Sequence, residues 1–280
     1  MNKVYQRHVK ITPVSYMIYL IVMGSVSALL FFIMSGCQLF GDRSLYLFSF
    51  FACLSVIINM LVSLLSLSYA PLASVTVSQN AGTLVLPILY GVLILNESIN
   101  TYNIIGICFI IIAFLISFVG DYRINKMHSR NLFGNCICII LFFTSGVGNI
   151  IHKSFTISGS IANIQTYLSW INIYMVSIIV VAFAIYRKIK KSEFHSYIHN
   201  LDKSRYLLVV FGSTIGCLGM YFSMKAMMNM NISLYSALYS SMYIIILIIV
   251  SKYYFKADLI IHHYLSVMFA VISVIFTSMA

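Results

Sequence analysis

The side chains of this chain that could do chemistry are mostly amides and hydroxyls rather than acids or bases. Its six acidic residues, Asp42, Glu97, Asp121, Glu193, Asp202 and Asp258, all fall between long apolar runs or at their ends. A carboxylate in mid-run would be costly in hydrocarbon and would mark a proton or cation relay. Amides take that position instead. The apolar run 71–95 carries Ser74, Thr76, Ser78, Gln79, Asn80 and Thr83. An unsatisfied amide in hydrocarbon costs several kcal/mol, so Gln79 and Asn80 need partners. Two are open to them: a neighbouring helix, at about 0.6 kcal/mol per bond, or a polar solute in a central cavity.

Other runs add to the set. In 132–152, Gly146 and Gly148 let the backbone approach a neighbour or a ligand beside Asn149, with His152 about one turn beyond. A histidine at the end of such a run reads as an interfacial or hydrogen-bonded group before a proton relay. Trp170 and Asn172 open the run 165–186, where the one tryptophan suits a headgroup anchor or a cavity wall. The run 232–252 offers Tyr235, Ser236, Tyr239, Ser240 and Tyr243. The candidate substrate-binding residues are therefore Gln79, Asn80, Asn149, Tyr239, Ser240 and Trp170. They can hydrogen-bond a solute, and no catalytic residue is expected among them. Nor is a metal or cofactor expected. His262-His263 has only Asp258 nearby, and the six cysteines contain no CxxC pair. Cys136-Ile-Cys138 has no ligand at zinc spacing, and buried cysteines act as small hydrophobes.

The elements that must position these groups follow from composition. Of the 280 residues, 61% are hydrophobic and 8% are charged, with a mean hydropathy of +0.98. A soluble domain has about a quarter of its residues charged. Nine apolar runs, at about 14–35, 45–69, 71–95, 103–119, 132–152, 165–186, 206–224, 232–252 and 263–279, have the length that crosses ~30 Å of hydrocarbon. The first is longer than a signal-peptide core and lacks a clear cleavage site, so it is expected to stay as a span. Gly212-x-x-x-Gly216, with Gly219 following, predicts a smooth face for close helix packing.

The net charge of +11 lies in the connections, which fits membrane orientation rather than a nucleic-acid surface. Counting alternate connections, one face holds Lys3, Arg7, Lys10, Arg123, Lys126, Arg130, Arg187, Lys188, Lys190, Lys191, Lys203, Arg205, Lys252 and Lys256. The other holds Arg43, Lys153 and Lys225. Basic flanks favour the cytoplasm, so the N-terminus is expected inside and the C-terminus outside.

A shift of 160 residues lays 45–69 on 205–229, 71–95 on 231–255 and 103–119 on 263–279. The match is one of hydropathy and punctuation. Partners five spans apart cross in opposite directions, as in transporters built of inverted repeats around a midplane site. The first repeat is then 1–120, with four spans, and the second 121–280, with five. The partner of 132–152 would start before residue 1, as if the first of ten helices were missing through a lost upstream start, or the protein worked with nine.

On these residues the chain resembles the drug/metabolite transporter superfamily, in its EamA-like branch. The resemblance rests on Tyr69-Ala70-Pro71-Leu72-Ala73-Ser74, on Pro87 with Gly91, on Asn96-Glu97-Ser98-Ile99 and on Ile105-Gly106-Ile107. In the second half it rests on Tyr221-Phe222-Ser223-Met224-Lys225-Ala226. The second copy departs in having Tyr243 or Ile244 near the place of the proline and Ala257-Asp258 where glutamate is usual. The resemblance implies an all-α polytopic fold of two inverted repeats and alternating-access transport. It also disfavours proton-coupled export of cationic drugs, which in the small multidrug branch depends on a glutamate in the first helix. Glu97, just before a helix, reads as a structural charge on a helix dipole.

The expected function is secondary transport, as export, of a small polar or amphiphilic metabolite, neutral or zwitterionic because basic residues stay out of the spans. Alternatives are a non-transporting subunit or degenerate paralogue, and a lipid-linked sugar flippase. A membrane enzyme is disfavoured for want of an embedded acid. The expected partners are a small-molecule substrate and the lipid bilayer, with a homodimer as a further option and no nucleic acid. The expected location is the bacterial inner membrane.

Overall fold

The computed structural model describes residues 13–69, 72–98, 100–124, 132–158, 163–189, 203–253 and 261–278. Among these, nine helices occur and no strand. They are α1 (Pro13–Met34), α2 (Arg43–Tyr69), α3 (Leu72–Leu93), α4 (Thr101–Ile124), α5 (Leu132–Ile157), α6 (Ile164–Ile189), α7 (Lys203–Asn229), α8 (Ile232–Tyr253) and α9 (Ile261–Ser278). Each falls on one of the apolar runs. Helix is the answer such runs dictate, because it satisfies every backbone group within the segment. Within α1, α2, α5, α6 and α7, the stretches Met17–Met34, Arg43–Tyr69, Cys136–Ile157, Ile164–Lys188 and Val209–Asn229 are long and apolar enough to cross a membrane. The chain is that of an integral membrane protein. The basic residues Lys3, Arg7 and Lys10, the stretch 190–202, Ala70-Pro71 and Ala257-Asp258 lie outside the described residues.

The helix ends follow local rules. After α1 the chain enters the left-handed region at Gly36 (φ 69°) and Cys37 (φ 62°). The amide of Cys37 donates to Phe32 O at 3.0 Å and that of Gly36 to Ile33 O at 3.1 Å, closing the last turn as a glycine cap does. Helices α5 and α7 both outrun their apolar cores. The sequence places their ends at 152 and 224, before Lys153 and Lys225, whereas the helices continue to Ile157 and Asn229. Lys153 is buried where α5 passes it, whereas Lys225 stays exposed on α7.

The chain forms two compact units, one of Met1–Leu54 with Phe155–Lys225 and the other of Ser55–Ser154 with Ala226–Ala280. In the first, α1 packs antiparallel on α6. A Cβ at Gly24 would meet Met175 and Val176, Ser169 Oγ donates to Ala28 O at 3.3 Å, and Thr166 Oγ1 donates to Gln38 O at 3.2 Å. Phe31, Leu45, Tyr167 and Leu168 are wholly buried, and Phe155 stacks on Tyr167 with ring centroids 3.9 Å apart.

In the second unit α3, α4, α8 and α9 pack on one another around Leu84, Ile110, Ala113 and Ala270. Helices α4 and α9 run antiparallel. Ser273 Oγ donates to Gly106 O at 2.7 Å, while Phe109 stacks on Phe269 and Phe276. The close backbone approach of this unit is between α3 and α5. A Cβ on Gly82 would run into the Phe142 carbonyl, and one on Gly146 into Gly82 O and Leu86. Gly146 thus does what its lack of a side chain predicts. Gly216 and Gly219 of α7 do not. Among the described residues nothing lies within 4 Å of a Cβ built at Gly216 or Gly219, both exposed. Among the described residues, close packing is therefore not what these two glycines serve.

Candidate functional site

Five of the six candidate binding residues belong to the second unit. Helix α3 carries Gln79 and Asn80, both half-buried, and Thr83, whose hydroxyl turns back to Asn80 O at 2.9 Å. Its neighbour α5 runs parallel to it. Val75 clusters with Cys138 and Leu141, Gly146 lies against Leu86, and Tyr90 Oη and Ser154 Oγ are 2.9 Å apart. By this register Asn149, half-buried, comes level with about Leu86. Helix α8 runs antiparallel to α3: Ile232 and Ser233 lie against Gly91, whereas Ile245 packs on the cluster of Leu84. Tyr239 and Ser240 then come level with about Thr83 and Leu84. The five residues occupy a band roughly 10 Å deep along α3, two turns of helix.

Within the band the side chains differ. Tyr239 is 49% exposed and stacks on Tyr235 with centroids 5.8 Å apart. Ser240 is 7% exposed, and its Oγ is buried with no hydrogen-bond partner among the described residues. Most helix hydroxyls here turn back on the preceding turn, as Ser236 does to Ile232 O at 2.8 Å and Ser241 to Ala237 O at 2.7 Å. The Ser240 hydroxyl does not. A second orphan of the same unit is Asn59 Oδ1 on α2. Sequence reasoning passed over Asn59, although an amide in mid-run is the signal that selected Gln79. Each unmet buried atom costs about 1–3 kcal/mol, which a polar solute or water would relieve.

The sixth residue, Trp170, sits in the first unit. Its indole Nε1–H donates to Leu39 O at 2.8 Å, and its ring meets Tyr46 edge-on (5.1 Å between centroids) and Tyr174 at a tilt (5.3 Å). The indole holds the α1–α2 connection to α6. Asn172, also buried, donates to Leu168 O at 2.8 Å.

A charged cluster that the sequence did not reveal lies at the α7–α8 corner. Glu97 does not cap the helix that follows it in the chain. Its carboxylate accepts from the first amides of α8: Ile232 N–H to Oε1 at 2.8 Å, and Ser233 N–H to Oε2 at 3.2 Å. Ser233 Oγ also donates to Oε2, at 2.7 Å. A carboxylate on otherwise unpaired amides at the positive end of a helix dipole is stabilising. Two local features aim it there. Asn96 takes a left-handed conformation (φ 50°), tolerated by asparagine, and Glu97 N–H bonds back to Gly91 O at 3.0 Å. Gly91 leaves the room, since a Cβ there would meet Ser233 Oγ, Glu97 Oε2 and Ile232.

Lys153 corrects a second expectation. Placed in a connection of the lightly charged face by the sequence, it is instead within α5 and only 8% exposed, and its Nζ donates to Met227 O and Met230 O, each at 2.8 Å. Those carbonyls belong to the C-terminal end of α7, where a cation complements the dipole. Glu97 interacts electrostatically with this ammonium. One corner thus has its acid on the amide end and its base on the carbonyl end. Lys225, the other unanticipated helix residue, lies 5.8 Å from the centroid of the Tyr221 ring.

No protein-family model matches the chain, and no curated protein matches it.

Proposed function

We propose that this protein is a secondary transporter, exporting a small polar or amphiphilic metabolite by alternating access through two inverted repeats of the EamA-like, drug/metabolite transporter kind. The observation that carries the reading is how the helices pair. The 160-residue shift relates α3 to α8 and α4 to α9, and each of these pairs packs antiparallel on itself. Helices α1 and α6, also five apart in the chain, do the same. Two copies of opposite direction, related by an axis in the membrane plane, bring the helices nearest that axis against their own counterparts. All nine helices then act as spans, with the N-terminus in the cytoplasm of a bacterial cell and the protein in its inner membrane.

The substrate contacts belong to the polar band of the second unit: Gln79, Asn80, Asn149, Tyr239 and Ser240. Amides and hydroxyls supply both donors and acceptors without fixed charge, which suits a neutral or zwitterionic solute. The buried Ser240 hydroxyl is the clearest vacancy for a hydrogen-bonding partner.

The test compares the spent medium of cells expressing the protein, cells lacking it, and cells carrying Gln79→Ala, with membrane insertion checked in each. A small set of metabolites enriched only with the intact protein is expected, and their common chemistry names the substrate class. Identical media from all three, with the protein in the membrane, would sink the proposal in favour of a non-transporting subunit.

A further inference from the structure

The Lys153 ammonium lies in a set of hard oxygen donors. Two are backbone carbonyls, Met227 O and Met230 O, at 2.8 Å each. The carboxylate of Glu97 acts on the same charge and is itself fixed by three donors of α8. Carbonyl oxygens at the negative end of a helix, with a carboxylate beside them, are the chemistry that takes up a small monovalent cation or a primary ammonium ion. We propose that Met227 O, Met230 O and the Glu97 carboxylate form a cation site, and that the protein fills this site with its own Lys153 ammonium.

Three features support a site rather than a chance contact. The lysine is buried, and a buried charge is tolerated only where pairing and hydrogen bonds meet it. Its two carbonyls flank the end of α7 at Asn229, so the cation binds where helix geometry leaves acceptors without amides. The carboxylate is held by Ile232 and Ser233 rather than by the lysine alone, so it stays in place whether or not the ammonium is present. A tethered cation also frees the α7–α8 corner from any dependence on dissolved ions. Removing it leaves a vacancy that a free cation can take.

Lysine differs from alanine by a propylammonium fragment, and that sets the experiment. The full-length protein and Lys153→Ala are purified in detergent. Their thermal unfolding midpoints are compared in choline chloride, sodium chloride, n-propylammonium chloride, and choline chloride with n-propanol. In choline, Lys153→Ala is expected to unfold about 10 °C below the parent, the size expected for stranding one member of a buried charged set. Sodium or n-propylammonium is expected to recover at least about half of that loss, while n-propanol recovers none and the parent moves by no more than about 2 °C. Recovery by n-propanol equal to that by n-propylammonium would show a filled void, and would overturn the proposal. So would a deficit that no cation changes, or an equal response in the parent. Glu97→Gln/Lys153→Ala is expected to lose the cation response, and an undiminished response there would remove Glu97 and with it the site. Should Lys153→Ala fail to survive extraction, Lys153→Met keeps the volume of the stem and decides the question by the same sodium-against-choline comparison. The readout needs no substrate, so its failure is distinct from a failure of the transport reading.

Discussion

Ser240 and Lys153 represent opposite ways of burying a polar group: the hydroxyl of one meets no hydrogen-bond partner among the described residues, while the ammonium of the other meets two carbonyls at 2.8 Å. The first has a cost with a measurable sign. Ser240→Ala deletes the orphan hydroxyl at almost constant volume. It is expected to raise stability by up to about 1 kcal/mol while lowering export. Thermal unfolding in detergent and the spent-medium assay check the two halves, and a variant that is both less stable and fully active would refute the expectation. At this scale the sequence was informative where polarity alone is the signal. Gln79, Asn80 and Ser240 stand out as polar groups in apolar runs, and Asn59 does so by the same rule. Glu97 and Lys153 were not legible, because a charge beside a span reads as solvated unless its partner is known. Their partners lie 135 and 74 residues away along the chain.

Among the described helices, the apolar runs located each element but not each end. Helix α5 was expected to stop at 152 because Lys153 follows, yet it continues to Ile157 with Lys153 capping α7 and Phe155 stacked on Tyr167. Glycines show the same limit. A glycine in a helix can serve a close approach or merely be tolerated, and only the neighbour decides. Gly82 faces the Phe142 carbonyl, whereas Gly216 faces open space. Gly82→Ala is therefore expected to destabilise the protein by about 1–3 kcal/mol through overpacking of α3 on α5. Gly216→Ala is expected to stabilise it by about 0.5–1 kcal/mol through helix propensity. Thermal unfolding of the two variants side by side is the check. A Gly216→Ala loss as large as that of Gly82→Ala would mean that α7 packs closely on something beyond the described residues.

For the whole molecule, the distribution of charge carries the prediction. Burial of Lys153 leaves two of the three basic residues on the lightly charged face and sharpens the bias on which the proposed cytoplasmic N-terminus rests. A fluorescent protein fused to the C-terminus is expected to stay dark, and an alkaline phosphatase fused there to be active. The reverse pair of results would defeat this topology. The nine helices among the described residues were readable because hydrocarbon allows so few structures. The two compact units were not. Each draws on chain from both sides of residue 120, and each joins two segments that a long stretch of the other unit separates, 55–154 in one case and 155–225 in the other.

The bond from Trp170 to Leu39 also gives the protein a built-in optical probe. The chain has one tryptophan among twenty tyrosines, so its indole emission comes from a single place. That indole is half-buried, hydrogen-bonded through Nε1, and edged by Tyr46 and Tyr174. Opening of the α1–α2 connection would expose it and shift its emission to longer wavelength, with no label attached. Tyrosine-to-tryptophan energy transfer within the same aromatic group would fall as well. The unmodified protein can thus report on its first unit by light alone, while the Glu97–Lys153 corner is varied in the second.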